Sequence, residues 1–339
     1  MSASRHDAPA GTSPLPDPHL FLRRQTRWGM FEILFWLAAL LPFWLFPTYL
    51  SLASQIAITA LFAVSLDLIL GYAGIISLGH AVFFGVGAYT TGILSARYGW
   101  GEPITGLLIG GAAAAVVGYV TSFVIVRVQH LALLMITLGL GFIAVEIANS
   151  AAWLTGGADG LQDVDTWPIF GYFKFDFYGY TAYAYSLAVL FIMFVISRRL
   201  VHSPFGLSLR GIRENAVRMP AVGAPSRRRL RKIYVISAAM AGVAGALLTQ
   251  TTDFASLEVL GFQRSADVAI MLILGGTGQL YGAILGALIF LIARDQLSGM
   301  NPQYWYFWIG LLLMAVVLFL PSGILGGLRR LVPARWRSL

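Results

Sequence analysis

Cysteine is absent from all 339 residues, and charge is scarce: 11% of positions are Asp, Glu, Lys or Arg, and only five are His. The first absence excludes disulfides, thiolate metal sites and cysteine nucleophiles. The second excludes a water-facing globule, because a soluble domain carries about 25% charged residues. There is no Gly-x-x-x-x-Gly-Lys-Ser/Thr phosphate loop, no His-x-x-x-His pair and no cluster of carboxylates. No metal site and no catalytic residues are therefore expected in this chain. What is abundant is apolar: 58% of residues are hydrophobic, 37 are glycine and the mean hydropathy is +0.76. Such a chain suits lipid, which leaves helices or closed barrels as the spanning structures. The long apolar runs imply an all-α integral membrane protein, and the net charge of +8 is read by its placement along the chain rather than as a nucleic-acid signal.

A helix crossing about 30 Å of hydrocarbon needs roughly 20 apolar residues. Runs of this kind are Phe31 to Phe46, Leu50 to Leu70, His80 to Ala96, Ile104 to Val126, Leu131 to Ala152, Tyr180 to Ile196, Ile233 to Thr252 and Trp305 to Leu320. Ala266 to Ile292 is also apolar but contains "GGTGQLYG" in its middle. Lys and Arg gather on the cytoplasmic side. Ser197 to Lys232 holds ten of them against Glu214 alone, whereas Trp153 to Gly179 holds Lys174 against Asp159, Asp163, Asp165 and Asp176. The first segment is expected inside, with a loop at 198–232, and the second outside. Splitting Ala266 to Ile292 at its glycines returns the Arg-rich end of the chain to the inside, with about ten membrane segments (a range of eight to ten). The segment ending near Leu274 is either a short span or re-entrant. The expected organisation is a disordered cytoplasmic tail at 1–30, a membrane domain at 31–328 and a basic cytoplasmic tail at 329–339.

One internal echo stands out: "LILGYAG" at Leu68–Gly74 and "LILGGTG" at Leu272–Gly278, 204 positions apart. Such strings arise by chance in a glycine-rich apolar chain. They also arise when duplicated halves of a transporter place broken helices at matching positions, and the charge count independently asks for a break at the second. Backbone freed at membrane depth must be buried in protein or wetted by a path. Gly71, Gly74, Ser77, Gly79 and His80 at the first break, and Gly275, Gly276 and Gly278 at the second, are the candidates to line such a path. Close helix packing is the competing explanation for the glycines. Asp67, His80, Glu146 and Asp267 are the ionisable residues expected in the bilayer. For His80 and Ser77, satisfying the broken backbone stands ahead of binding solute, and for Asp67 and Asp267, standing capped or water-facing beside a break stands ahead of direct ligation.

The basic loop contains "LSLRGIRENAVRM", enough for about three helical turns with Leu209, Ile212 and Ala216 on one side. It could rest on anionic lipid or dock into a nucleotide-hydrolysing partner. At these residues the chain resembles a known family, the permease subunits of branched-chain amino acid ABC importers of the LivM type. The likeness rests on "GYAGIISLGHAVFFGVGAY", "TGGADGL", "GLSLRGIRENAVRMPAVG", "SAAMAGVAGALL", "MLILGGTGQLYGAILGA" and "LFLPSGILGGL", in order along the chain. It implies a multi-pass protein of the bacterial inner membrane. It also implies a homologous permease as partner, two cytoplasmic ATPases that bind the ATP and Mg, and a periplasmic solute-binding protein, with no cofactor in this chain. It makes Arg213, Glu214, Ala216 and Gly223 the ATPase coupling loop. The match departs at Ala216-Val217-Arg218 and Pro220, where family members have a second acid and paired alanines, so a shorter helix is implied. Urea, short amides and other amino-acid-like solutes are alternative cargoes. An ion-coupled secondary transporter or a channel is the alternative of a different class.

Overall fold

A computed structural model describes residues 29–331 apart from 129, 177, 321 and 322, so most of both expected tails lies outside the described residues. The described chain is helical, with two isolated β-bridges and no named strand. Its longer helices are α1 (Met30–Ala38), α2 (Leu50–Asp67), α3 (Ala81–Tyr98), α4 (Pro103–Ile125), α5 (His130–Ser150), α6 (Tyr180–Val201), α7 (Pro204–Glu214), α8 (Ser226–Thr252), α9 (Phe262–Gly275), α10 (Leu280–Met300), α11 (Trp305–Phe319) and α12 (Gly323–Leu331). Six helices among the described residues are both long and apolar enough to cross a membrane: α2 with its flanking turns, α4, α5, α6, α8 and α10. The shorter apolar helices are α11 and the stretch Glu32–Leu45.

Local chemistry sets the boundaries. Glu102 caps α4 by accepting from Thr105 N–H at 2.8 Å, and Pro103 occupies the first helical position, where its missing N–H costs nothing. Gly99 ends α3 in the left-handed region, with φ of 64°. Ser203 and Pro204 repeat the start signal at α7. The expected first span, Phe31 to Phe46, is instead two pieces, α1 and a single turn at Pro42–Leu45. Pro42 has no N–H for a continuous helix, and the carbonyl of Ala39 accepts from the Tyr183 hydroxyl at 2.5 Å. The Ala266 to Ile292 stretch divides as expected, α9 ending at Gly275 and α10 beginning at Leu280. At 14 residues, α9 is about 21 Å long, short of the hydrocarbon thickness.

α8 forms the centre of the bundle, packed against α2, α3 and α4, while α2 also packs on α6 and α10. Small residues make this possible. A Cβ on Gly87 would strike the carbonyl of Gly242, and one on Gly245 the carbonyl of Phe84, so the backbones of α3 and α8 touch. On the other side of α8, a Cβ on Gly118 would stand 2.5 Å from that of Ala238. α4 and α5 turn large apolar side chains outward, among them Val116, Val120, Leu131, Met135 and Phe142. These faces suit lipid or another membrane subunit.

The two ends of the bundle differ in charge. At one end the start of α2 lies beside Gly179, Trp167 N–H donates to the Gly101 carbonyl at 2.8 Å, and Leu161 bridges to Ala255. Tyr98, Trp100, Trp153, Trp167, Tyr178 and Tyr304 are exposed at that end, in the manner of an interfacial aromatic belt. There, partial burial holds the Asp253 carboxyl above its usual value, although Thr166 donates to it at 3.0 Å. The opposite end carries Arg198, Arg210 and Arg213 together with both helix breaks.

The glycine contacts predict opposite outcomes for two substitutions. Gly245→Val forces the α3–α8 seam apart and is expected to cost about 3 kcal/mol or more, seen as loss of folded protein in detergent. Gly139→Ala on α5, where nothing stands within 4 Å of the new methyl, is expected to leave thermal stability unchanged or raise it by about 0.5–1 kcal/mol.

Candidate functional site

The two breaks singled out from the sequence meet at the arginine-rich end, beside Arg213. α2 continues into one wide turn, Leu68–Tyr72, and the chain then runs without regular structure to His80. The second break is Gly276–Gln279, between α9 and α10. Gly74 and Gly278, which hold equivalent places in the echoed heptapeptides, both adopt left-handed backbone, with φ of 74° and 77°. Gly275 is crowded by the carbonyl of Gly282, and Gly276 lies against Gly323 at the start of α12.

Each break frees backbone groups that lipid cannot satisfy, and side chains from other elements take them up. Leu78 N–H donates to Thr137 Oγ1 of α5 at 3.2 Å, and Ala81 N–H to Ser265 Oγ of α9 at 2.9 Å. Gly278 N–H donates to Asp67 Oδ1 of α2 at 2.7 Å. The Gly71 carbonyl accepts from Arg213 Nη1 of α7. Gly79 lies so close to the carbonyl of Thr137 that a Cβ would overlap it. Asp67 is therefore not water-facing, having no exposure at all. Asp267 stands on α9 away from the break and accepts from Gln263 at 3.0 Å. Glu146 is exposed on α5 and accepts from Ser150 at 3.1 Å.

His80 and Ser77 are buried, His80 completely. The imidazole stacks on Phe62 at 5.4 Å and meets the edge of Phe83, and its Nε2 lies 2.9 Å from Ser65 Oγ. The Ser65 hydroxyl spends its single proton on the Phe62 carbonyl at 2.7 Å, so it accepts from His80 Nε2–H. His80 thus bonds to a side chain rather than to a freed carbonyl of the break.

Two cavities lie between the helices. An apolar cavity of about 600 Å³ lies between α1, α2, α6 and α10, lined by residues such as Trp36, Ile56, Leu190 and Ile284, with Asp295 and Gln296 its polar members. A smaller polar one of about 160 Å³ sits beside the second break, with Glu32, Arg198, His202, Arg210 and Gln279 in its wall. Trp36, Phe194, Phe35 and Tyr281 pack ring against ring between the two. Arg198 pairs with Glu32 at 2.8 Å and ties α6 to α1.

At 11 residues, α7 has about the three turns expected of the basic loop, but it lies at 204–214 rather than across 207–219. Leu209 and Ile212 are buried as the pattern requires, but α7 stops at Glu214. Asn215 is extended, and its Oδ1 accepts from the N–H groups of Val217 and Arg218 at 3.2 and 2.9 Å. This asparagine turn competes with the helix and starts a new single turn, Arg218–Ala221. Ala216 consequently lies in the turn and not on the buried face. The residues 213–218 and 220–223 are exposed, with Val217 and Val222 prominent, and Gly223 ends the segment at φ of 85°.

Comparison with known proteins agrees with the architecture. Residues 48–317 match the model of the family described as branched-chain amino acid transport system / permease component. The high-affinity branched-chain amino acid transport system permease protein LivM of Escherichia coli (strain K12) is 29% identical over 85% of this chain and 72% of its own length. LivH of the same organism is 26% identical over 79% of this chain and 91% of its own. A probable LivM of Methanocaldococcus jannaschii is 24% identical over 78% and 89%. No solved structure matches. With apolar helices along its length and 270 consecutive positions within the matched region, this chain is a multi-pass membrane protein that belongs to the family of branched-chain amino acid transport permeases.

Proposed function

We propose that the chain is the membrane-spanning subunit of an ATP-driven importer that moves a branched-chain amino acid inward across a bacterial inner membrane by alternating access. The observation that carries this reading is the protruding segment at 215–223. Val217 and Val222 stand out into water beside Glu214 and Arg218 at the arginine-rich end. Exposed valines among charges on a short, asparagine-capped turn suit a protein groove better than a lipid surface, where a longer amphipathic face would lie flat. The groove belongs to a cytoplasmic ATPase, one of two, which binds the ATP and Mg that this chain has no loop to hold. Arg213, Glu214, Ala216 and Gly223 form the coupling loop. Both termini are cytoplasmic, a homologous permease completes the membrane part, and a periplasmic binding protein delivers the solute.

The apolar cavity has room and lining for an aliphatic side chain, while the ammonium and carboxylate of an amino acid need polar partners, which that lining offers at Asp295 and Gln296. Closure of the aromatic contacts between the two cavities, and of the breaks at Gly71–His80 and Gly275–Gly278, would separate the outer side from the inner one. ATP shifts this equilibrium only through different contacts with the docking segment in the two states.

Two outcomes test the reading. Glu214→Lys is expected to leave the protein inserted while ATPase association and amino acid uptake both weaken by about tenfold, a loss near 1.4 kcal/mol; normal association in pull-downs from membranes would mean that the segment merely rests on lipid. His80→Gln is expected to lower thermal stability by about 1–2 kcal/mol with an unchanged KM for uptake. A raised KM would instead place the imidazole on the path.

A further inference from the structure

Asp67 belongs to the first break by sequence and to the second by contact. It ends α2, four residues before Gly71, yet its carboxylate accepts from Gly278, which lies 211 residues further along the chain. Gly71 has no room for a methyl group, because a Cβ there would overlap both the Asp67 carboxylate and the Gly278 nitrogen. The same glycine offers its carbonyl to Arg213. The Arg213 side chain then passes both breaks: its Cγ is 3.1 Å from where a Cβ of Gly74 would stand, and its Nη1 is 3.2 Å from that of Gly278. One arginine side chain from α7 thus touches equivalent glycines of the two echoed segments, its aliphatic stem at Gly74 and its guanidinium at Gly278. The carboxylate has no equivalent, since the position 204 residues after Asp67 is Met271.

We propose that Asp67 and Arg213 are positioning residues that lock the two breaks and α7 into one mechanical unit, so that a displacement of α7 reaches both breaks together. This rests on the reading of α7 and the turn after it as the docking segment. Neither side chain touches solute. Asp67 acts by holding Gly278 against Gly71, and Arg213 by holding Gly71 against α7. A bundle in which these bonds merely filled backbone valences would allow either break to open without the other.

The test uses the whole importer in lipid nanodiscs and proteoliposomes. For D67A, which leaves the Gly278 N–H without its acceptor, hydrogen–deuterium exchange is expected to quicken by about tenfold or more across 68–80, 204–214 and 275–282 alike. Solute moved per ATP hydrolysed is expected to fall by about tenfold. D67N keeps an oxygen for Gly278 and is expected to stay near wild type in both readouts. Faster exchange confined to 275–282, or wild-type transport per ATP in D67A, overturns the proposal. Should D67A fail to insert, R213C carries the test in this cysteine-free chain. It is expected to loosen both breaks, and modification with 2-aminoethyl methanethiosulfonate, which restores a cation, to tighten them again; absence of that rescue also overturns it. An importer that hydrolyses no ATP sinks the docking reading, while the exchange measurement still decides the lock.

Discussion

Lipid offers no hydrogen bonds, and that single constraint organises the interior of this protein. A helix that stops inside the bilayer frees N–H and C=O groups that only protein can satisfy. Here the donors and acceptors arrive from four different elements: Thr137 on α5, Ser265 on α9, Asp67 on α2 and Arg213 on α7. Each of these bonds repairs the backbone and fixes the place of the element that supplies it. The breaks are therefore the points where the bundle is cross-braced. Had α2 and α9 run straight through, Arg213 would have no freed Gly71 carbonyl to hold, and α7 would keep only its packing on α6 and α8.

Close backbone approach is the second half of the arrangement. α8 lies against α3 and α4 at glycine and alanine positions, which brings the backbones of three helices into contact. In a membrane, apolar side chains gain little from burial against one another, so packing of this kind supplies the attraction. It leaves a closely packed group of helices beside the cavity between α1, α2, α6 and α10. A transporter needs both: a body that keeps its shape and a path that changes. Asp67 stands at the end of α2, the helix common to the two.

Much of this was legible in the sequence, and the parts that were not have physical causes. The spans followed from apolar length, the helix breaks from glycines and the charge count, and the echo pointed to residues that do meet. The asymmetry of charge between the loops 153–179 and 198–232 corresponds to opposite ends of the bundle. Thr137 and Ser265 were invisible because hydroxyls are common in apolar helices, where they can bond to their own preceding turn at small cost; only tertiary contact shows which of them serves a distant break. Asp67 could be recognised as a buried ionisable group, but its partner 211 residues away could not. The helix expected within 207–219 keeps its three turns but starts earlier, at Pro204, and ends at Asn215, whose side chain competes with the helical bond over a single residue. The first span is interrupted similarly at Pro42. Hydrophobic periodicity reads long elements well and is blind to such one-residue interruptions.

The central claim is that α7 and the helix breaks move as one body when nucleotide binds the partner ATPase. Spin labels at Leu207 on α7 and Ile76 in the first break, both exposed positions in a chain without cysteine, measure this directly by pulsed electron resonance. A third label at Val116, on the outward face of α4, gives the reference. A Leu207–Ile76 distance that stays constant between nucleotide-free and ATP-bound importer, while both distances to Val116 change, is the expected result; a Leu207–Ile76 distance that itself changes on ATP binding would contradict it.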